Sequence, residues 1–170
     1  MGTIQARRDR TAAPIRVHEA FEREYPDGSR SASEVLLNLT FTGVAALNRV
    51  DEFLAAYGLV LKSFNVLAVI HGDPEPQTPT VIGERTLVAK SSVTSILDSL
   101  EKLGMVRRRA HPGNRRSILV DLTDHGRSTC TEILERLHRR EAQWVAGMPE
   151  PKRQSLIRLL GEVRGLLNSE

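Results

Sequence analysis

The 170-residue sequence contains a single cysteine, few aromatic residues and no long apolar run. Cys130 cannot form a disulfide within the chain, and without a second cysteine it offers no cysteine-based metal site. It lies in a helical pattern, which is typical of a buried structural thiol. No apolar segment approaches the ~18 residues that a membrane span needs, and the polar, arginine-rich start Met1–Arg10 does not resemble a signal peptide. We therefore expect a cytoplasmic protein with no membrane partner.

Sequence patterns of catalysis and of metal binding are also missing. The chain has no glycine-rich phosphate loop and no nucleophile elbow. Asp121, Asp124 and His125 lie close together, but Asp124 falls in the first turn of a predicted helix, where a carboxylate is favoured without any catalytic role. The histidines have no metal-ligand spacing with the cysteine. We predict that the protein is not an enzyme and uses no metal and no cofactor.

What the chain does have is an uneven distribution of charge. Its formal net charge is +3. Residues 79–123 carry eight Lys/Arg against four Asp/Glu, whereas residues 31–78 carry two against five. Positive charge is therefore concentrated after residue 78, where a phosphate-contacting surface is expected if the partner is a nucleic acid. A solvated basic face would give the same count.

Apolar residues recur at helical spacing through most of the chain, which predicts a mainly α-helical fold. Ser33 and Gly58 are the expected cap and stop of the first long helix, and Pro149 is expected to open the last one. One two-stranded hairpin, with a polar tip at residues 111–114, interrupts the helices. The predicted helices span residues 15–25, 33–57, 61–70, 79–86, 91–103 and 124–145, with a last one after Pro149.

From Pro79 to Val120 a short helix, a tight turn, a longer helix and a basic hairpin follow one another. This is the order in which a winged helix-turn-helix is built. The longer helix, Ser91–Leu103, begins with Ser91 or Ser92 as its predicted cap and has apolar residues on one side only. Small hydrogen-bonding side chains on its other side would let the backbone approach base edges in the major groove. These side chains are Lys90, Ser91, Ser92, Thr94, Ser95 and Asp98.

The hairpin Arg107–Val120 forms the predicted wing. Arg115 and Arg116 stand at its tip, where an arginine can enter the narrow, negative minor groove of A·T-rich DNA. The run from Arg107 to Arg109 is a weaker signal, because charges also blunt ordinary strand edges. Contact with phosphate is an open alternative for that run.

The segments Ser91–Arg108 and Asn114–Thr123 together resemble the MarR (multiple-antibiotic-resistance regulator) family of winged helix-turn-helix transcription regulators. The wing pattern of that family reads Asp-x-Arg, three residues, and then Val-x-Leu-Thr. Here Asn114 replaces the aspartate, although its amide can still accept a hydrogen bond. The family often has arginines at the positions of Ser95 and Ser99, which suggests a different base preference for this chain.

The resemblance implies a homodimer that binds an inverted-repeat operator in double-stranded DNA, with half-site centres about 34–36 Å apart. Many members release DNA when they bind a small aromatic or phenolic acid, so a small-molecule effector is a possible partner. The expected fold is a winged helix-turn-helix domain plus terminal dimerisation helices, whose surplus apolar residues agree with a dimer. The expected division is an N-terminal arm and extra helix over 1–30, dimerisation helices over 31–58 and 124–170, and a DNA-binding lobe over 59–123.

The hypothesis is therefore a homodimeric, sequence-specific DNA-binding transcription regulator, acting as a repressor. The alternative is a winged-helix protein-interaction module without DNA binding, which the modest net charge and the missing recognition-helix arginines favour. Steep salt dependence of duplex binding would separate the two, because phosphate contacts release counterions. The predicted DNA-binding residues are Lys90, Ser91, Ser92, Thr94, Ser95, Arg107, Asn114, Arg115 and Arg116.

Overall fold

The computed structural model describes residues 13–86 and 88–169, apart from the side chains of Arg115 and Arg116. The fold is mainly helical with one antiparallel hairpin, which confirms the predicted class. The helices are α1 (Phe21–Glu24), α2 (Arg30–Leu54), α3 (Leu61–His71), α4 (Pro79–Arg85), α5 (Lys90–Lys102), α6 (Asp124–Trp144) and α7 (Glu150–Leu167), and the strands are β1 (Val106–His111) and β2 (Asn114–Leu122). The chain divides into two compact units, of which the first ends at Leu61 and the second begins at Lys62.

The long helix of the first unit begins three residues earlier than predicted. Ser29 caps it, because the Ser29 hydroxyl oxygen accepts a hydrogen bond from the backbone N–H of Ala32 at 3.3 Å. The prediction of Ser33 as the cap was therefore wrong. Helix α2 runs into a short 3₁₀ turn, Ala55–Tyr57, which Gly58 ends at φ 70° as expected.

The segment before α2 is less helical than its apolar pattern predicted. Only Phe21–Glu24 forms a helix. Farther upstream, side chains of α2 bond the backbone instead, and Asn38 Nδ2 donates to the carbonyl oxygen of Ile15, which a helix would use itself, at 2.9 Å. The N–H of Ile15 donates to Asn38 Oδ1 at 2.9 Å, and the N–H of Val17 donates to Glu34 Oε1 at 3.1 Å. The predicted loose arm over the first dozen residues lies outside the described residues.

Glu34 is the centre of this attachment. Besides the N–H of Val17, it accepts hydrogen bonds from Arg16 Nη1 at 2.7 Å and from Arg30 Nε at 3.3 Å. The hydrogen bond from Arg16, followed by that from Val17, lowers the pKa of the Glu34 carboxyl below its usual value. The buried carboxylate therefore fixes the upstream segment to α2 as an ion pair and as a backbone acceptor.

In the second unit, apolar side chains behind the helix-turn-helix and the hairpin are buried. Burial also raises the pKa of the Cys130 thiol to about 11, so this cysteine stays protonated near neutral pH. The expectation of a buried structural thiol is confirmed. The fully buried apolar side chains of this unit include Val66, Leu67, Ile82, Leu97, Leu100, Val120 and Ile133.

The predicted helix boundaries of the second unit hold at most positions. Thr78 caps α4 ahead of Pro79, and Thr123 caps α6 through a 2.9 Å hydrogen bond from the N–H of Gly126. Gly104 follows α5 at φ 69°, in the left-handed region that glycine tolerates. Helix α5, however, begins at Lys90 after Ala89, which provides no side-chain cap. The prediction of Ser91 or Ser92 as its cap was therefore wrong.

Two close contacts hold the hairpin against the helices of the second unit. The backbone of Gln77 exchanges hydrogen bonds of 3.1 and 2.8 Å with Val120 on β2. Gly126 lies so near β1 that a Cβ atom there would stand 1.9 Å from the carbonyl oxygen of Met105. These contacts, one at β2 and one at the start of β1, together fix the position of the hairpin.

Helices α2 and α7 expose much of their apolar surface. No residue of α7 is buried, and only Glu34 and Leu54 are buried in α2. The exposed apolar residues of the two helices include Val35, Leu36, Phe41, Val44, Leu47, Leu156, Ile157, Leu159, Leu160, Leu166 and Leu167.

No single helix within residues 13–86 and 88–169 is long and apolar enough to cross a bilayer. The segments Arg30–Tyr57 and Leu61–His71 meet these limits of length and composition only when they are taken together as a bent pair.

Candidate nucleic-acid interface

Helix α5 presents two chemically different faces. Val93, Leu97 and Leu100 are buried and hold the helix on the second unit. Five of the predicted contact residues lie in α5, outside that buried face. Four are exposed and Ser92 is half-buried, so a small, polar surface is available along this helix. The four exposed residues are Lys90, Ser91, Thr94 and Ser95.

Two serine hydroxyls of α5 donate hydrogen bonds to their own helix. Ser95 Oγ donates to the carbonyl oxygen of Ser92 at 2.9 Å, and Ser99 Oγ donates to that of Ser95 at 3.0 Å. A hydroxyl whose proton is used in this way still has lone pairs with which to accept. Donors in the major groove are the amino groups of cytosine and adenine. Sequence reasoning omitted Ser99 from the site, although it lies one helical turn after Ser95 on the same face.

The structure separates Arg107 from the wing tip. Arg107 stands near the base of β1, opposite Asp121, whereas Asn114 begins β2 at the tip, opposite His111. The four residue-to-residue steps from Arg107 to His111 span about 13 Å along the strand. Arg107 Nη2 lies 3.0 Å from Asp121 Oδ2, although the arginine side chain is 65% exposed. Arg107 and Asn114 therefore lie at opposite ends of the hairpin.

Arg115 and Arg116 follow Asn114 in β2. Their side chains lie outside the described part of the structure. The backbone of the hairpin places both residues next to the turn, at the tip for which the sequence predicted them.

Arg108 differs from its two neighbours because it faces α5. Its side chain is 22% exposed and lies 2.7 Å from Asp98 Oδ1 and 2.6 Å from Glu101 Oε2. Burial acts to lower the pKa of Arg108, but hydrogen bonds to Asp98 and Glu101 outweigh it and raise that pKa. The sequence had assigned Asp98 to the DNA-facing side chains. The structure instead uses Asp98 as an ion-pair partner of the wing.

Carboxylates also accompany other cations of the basic segment. Arg85 pairs with Asp73, whose pKa is lowered first by the N–H of Glu75 and then by Arg85. Lys90 Nζ lies 3.5 Å from Glu84 Oε1. Among the described residues of this segment, Lys102 and Arg109 have no carboxylate within 4 Å. Fewer charges are thus free to meet phosphate than the count over residues 79–123 suggested.

A pair of helices joined by a short turn and followed by an antiparallel hairpin defines the class of the protein, the winged helix-turn-helix. The family model described as MarR family matches residues 57–117. The winged helix-turn-helix of this chain is therefore similar to that of the MarR family of transcriptional regulators. The family resemblance that the sequence indicated is confirmed.

Relatives with assigned names match over most of the chain. The HTH-type transcriptional regulator PecS of Dickeya dadantii (strain 3937) is 28% identical over 147 residues, which cover 85% of this chain and 89% of PecS. The HTH-type transcriptional repressor YetL of Bacillus subtilis (strain 168) is 22% identical over 140 residues, covering 82% of this chain and 84% of YetL. The similarity therefore extends beyond the helix-turn-helix itself.

Solved structures of MarR proteins share this fold. A mutant MarR from E. coli complexed with operator DNA has a TM-score of 0.68 and 20% identity, covering 86% of this chain and 99% of that one. The transcriptional repressor CouR bound to a 23-mer DNA duplex has a TM-score of 0.66 and 24% identity, covering 74% and 89%. CouR from Rhodococcus jostii RHA1 bound to p-coumaroyl-CoA has a TM-score of 0.60 and 22% identity, covering 74% and 87%.

Proposed function

We propose that the protein is a cytoplasmic, homodimeric repressor that binds an inverted-repeat operator in double-stranded DNA. The observation that carries this proposal is the exposed polar face of α5 beside a hairpin with two arginines at its tip. A helix with small polar side chains fits the major groove, and arginines fit the minor groove. Repression is supported by the relatives YetL and CouR, which are both named repressors.

Each part of the chain has a proposed role. Residues 59–123 are the DNA-binding lobe, residues 31–58 and 124–170 carry the dimerisation helices, and residues 1–30 are an arm with an extra helix. The exposed apolar side chains of α2 and α7 support dimerisation, because soluble monomers rarely expose large apolar patches. A two-fold dimer would place two copies of α5 on successive turns of an inverted repeat.

The contact residues divide by the part of DNA that each one reaches. Thr94 and Ser95 read base edges, while Lys90, Ser91 and Ser92 contact phosphates near the positive end of the α5 dipole. Arg115 and Arg116 enter the minor groove, with Asn114 orienting the tip. Arg107 contacts phosphate from the base of the wing, where its ion pair with Asp121 is exposed and therefore weak.

A small molecule is the proposed effector. The structural neighbour CouR binds p-coumaroyl-CoA, which carries a phenolic acyl group. An aromatic or phenolic acid that favours a dimer geometry unable to span both half-sites would release this protein from DNA.

The decisive experiment selects bound fragments from genomic DNA and then titrates the recovered operator with variants of the protein. Arg115→Ala and Arg116→Ala should each weaken binding about tenfold, because one minor-groove arginine contributes about 1–3 kcal/mol. Lys152→Ala on α7 removes the same charge outside the lobe and should leave affinity unchanged. Unchanged affinity for both wing variants at fixed salt contradicts the role proposed for the wing.

A protein-interaction module without DNA binding is the second candidate function. It is favoured by the carboxylates that accompany Arg85, Lys90, Arg107 and Arg108. A salt titration of duplex binding separates the two candidates. A DNA-binding dimer should lose affinity steeply between 50 and 200 mM salt, by about 10³-fold for six phosphate contacts. A folded protein that binds no duplex at the lower concentration would support the second candidate.

A further inference from the structure

Arg108 is tied to α5 by more contacts than an ordinary surface arginine. Its Nη1 lies 2.6 Å from Glu101 Oε2, its Nη2 lies 2.7 Å from Asp98 Oδ1, and its backbone N–H donates to Glu101 Oε1 at 3.1 Å. Its Nη2 also lies 3.5 Å from the carbonyl oxygen of Thr94. Side chain and backbone of one wing residue are thus both attached to the same helix.

The pleat of β1 explains why only Arg108 is attached in this way. Successive side chains of a strand point to opposite faces, so Arg108 shares its face with the buried Val106, while Arg107 and Arg109 lie on the other. Arg107 and Arg109 are exposed, whereas Arg108 is largely covered. A guanidinium in this position is directed away from a phosphate that approaches the exposed face.

The partners of Arg108 match the shape of a guanidinium. Asp98 and Glu101 are three residues apart on α5 and therefore neighbours on one helix face. The planar fork of arginine can bond both carboxylates at once, whereas a lysine ammonium acts as a single point charge. The geometry requires arginine here, and not merely a positive charge.

We propose that Arg108 is a positioning residue that locks β1 of the wing to the recognition helix α5, and that it is not a phosphate ligand. The clamp, meaning Arg108 with Asp98 and Glu101, starts one helical turn after the base-reading residues Thr94 and Ser95. The clamp therefore fixes the angle between the wing and the face of α5 that carries Thr94 and Ser95, before any DNA is bound. The expected effect on operator selectivity rests on the proposed function, whereas the attachment of β1 to α5 by Arg108 does not.

The sharpest test removes a carboxylate and leaves the arginine in place. If Arg108 is a clamp, Glu101→Ala should lower the ratio of operator affinity to random-duplex affinity about tenfold, through the lost charged hydrogen bonds. If Arg108 is a phosphate ligand, the freed arginine and the lost negative charge should instead tighten binding to both DNAs. Glu162→Ala is the matched control, since it also removes an exposed helical carboxylate that pairs with an arginine, Arg158 at 3.0 Å, but outside the DNA-binding lobe; it should leave the affinity ratio unchanged.

Variants of the arginine give a second readout. Arg108→Met and Arg108→Lys should lower the ratio of operator affinity to random-duplex affinity by similar factors. The slope of log affinity against log salt should stay unchanged in both variants. A phosphate ligand would show a slope smaller by about 0.9 for each lost contact in Arg108→Met, and near-complete rescue by Arg108→Lys. That pattern, or an operator ratio equal to that of the wild type, overturns the proposal.

The lock can also be tested without DNA, which separates its failure from failure of the proposed function. Amide hydrogen exchange of the folded protein should be about tenfold faster in the last turn of α5 and in β1 for Arg108→Met, if about 1.4 kcal/mol of local stability is lost. Arg109→Met, on the opposite face, should leave that exchange unchanged. If wild-type protein binds no duplex, the proposed function fails and this comparison still decides the lock. Equal exchange in the two variants refutes it.

Discussion

The recognition helix α5 and the last helix α7 are both amphipathic, but their apolar faces have different surroundings. Leu97 on α5 is 0% exposed, whereas Leu160 on α7 is 43% exposed. The apolar face of α5 is covered by the rest of its own unit, and that of α7 lies open in a single chain. Helical periodicity therefore predicts that a face will be buried, without saying whether the same chain or a second copy buries it. Folding of the second unit covers the apolar face of α5, whereas the apolar face of α7 is available for the proposed dimer.

The strongest test of this difference between covered and open surfaces makes the same substitution at a packed glycine of α6 and at an open glycine of α7. Gly126→Ala would place a Cβ atom 1.9 Å from the carbonyl oxygen of Met105, which is itself held by the N–H of Thr123. We expect a loss of about 3 kcal/mol in the free energy of unfolding. Gly161→Ala in α7 meets nothing within 4 Å and should add about 0.5–1 kcal/mol, since alanine is the better helix former.

Urea unfolding of both glycine variants at one protein concentration measures this difference. The two variants should change the free energy of unfolding in opposite directions. If Gly126→Ala proves neutral, the tight approach between α6 and β1 is absent in solution, and the hairpin is less firmly positioned than the structure shows.

The second test concerns the open face of α7. Leu160→Glu should raise the dissociation constant of the dimer at least about 100-fold, because it would bury an unpaired carboxylate in the interface. Operator affinity should fall with it, since two linked lobes are needed to span an inverted repeat. Arg158→Gln changes the net charge equally at an exposed position two residues away, on the far side of the helix. That variant should stay dimeric.

Sedimentation equilibrium over a range of concentrations measures both variants. A dimer that survives Leu160→Glu would show that another surface joins the copies. A wild-type protein that sediments as a well-folded monomer would remove the dimer altogether.

Most of the fold could be predicted from the sequence because its signals are local. Apolar spacing, Thr78 and Thr123 as caps, and Gly104 as a stop set the helices around the wing correctly. The two wrong caps are local shifts of the helix start, to Ser29 and Ala89, whereas the missing helix before α2 reflects competition from residues farther along the chain. The apolar pattern of residues 15–25 predicted a helix, but Glu34 and Asn38 on α2 hold the backbone of Ile15 and Val17.

The candidate site was harder to predict than the fold, because side-chain pairing depends on tertiary geometry. The sequence indicated which helix and which hairpin form the interface. It could not show that Asp98 turns to Arg108, since the two residues meet only when the hairpin folds back on α5. Counting charges along the chain therefore overestimated the cations that are free for phosphate.

A third, smaller test compares the caps of α6 and α2. Thr123 accepts from the N–H of Gly126 at 2.9 Å and donates to the carbonyl oxygen of Gly104 at 2.6 Å, so Thr123→Ala should cost about 1–2 kcal/mol. Ser29 makes only longer, exposed contacts, with the N–H of Ala32 at 3.3 Å and with Ser31 Oγ at 3.2 Å, and Ser29→Ala should cost about 0.5 kcal/mol. Chemical denaturation measures both, and equal costs would mean that the two caps are equivalent.

The smallest expected effect is a pH dependence carried by Glu34 in the first unit. Its pKa in the folded protein lies below the usual 4.5, first because of the hydrogen bond from Arg16. A carboxyl group with a lowered folded-state pKa stabilises the protein above its ordinary pKa, and this contribution disappears as pH falls through the folded value. Wild-type protein should therefore be more stable than Glu34→Gln at pH 7, and the difference should shrink as the pH falls below about 4.5. Glu52→Gln, which removes an exposed carboxylate from the same helix, should change stability little at any of these pH values. A Glu34→Gln difference that stays constant down to pH 3 would mean that the carboxylate acts through packing alone, and that the segment before α2 is attached without help from its charge.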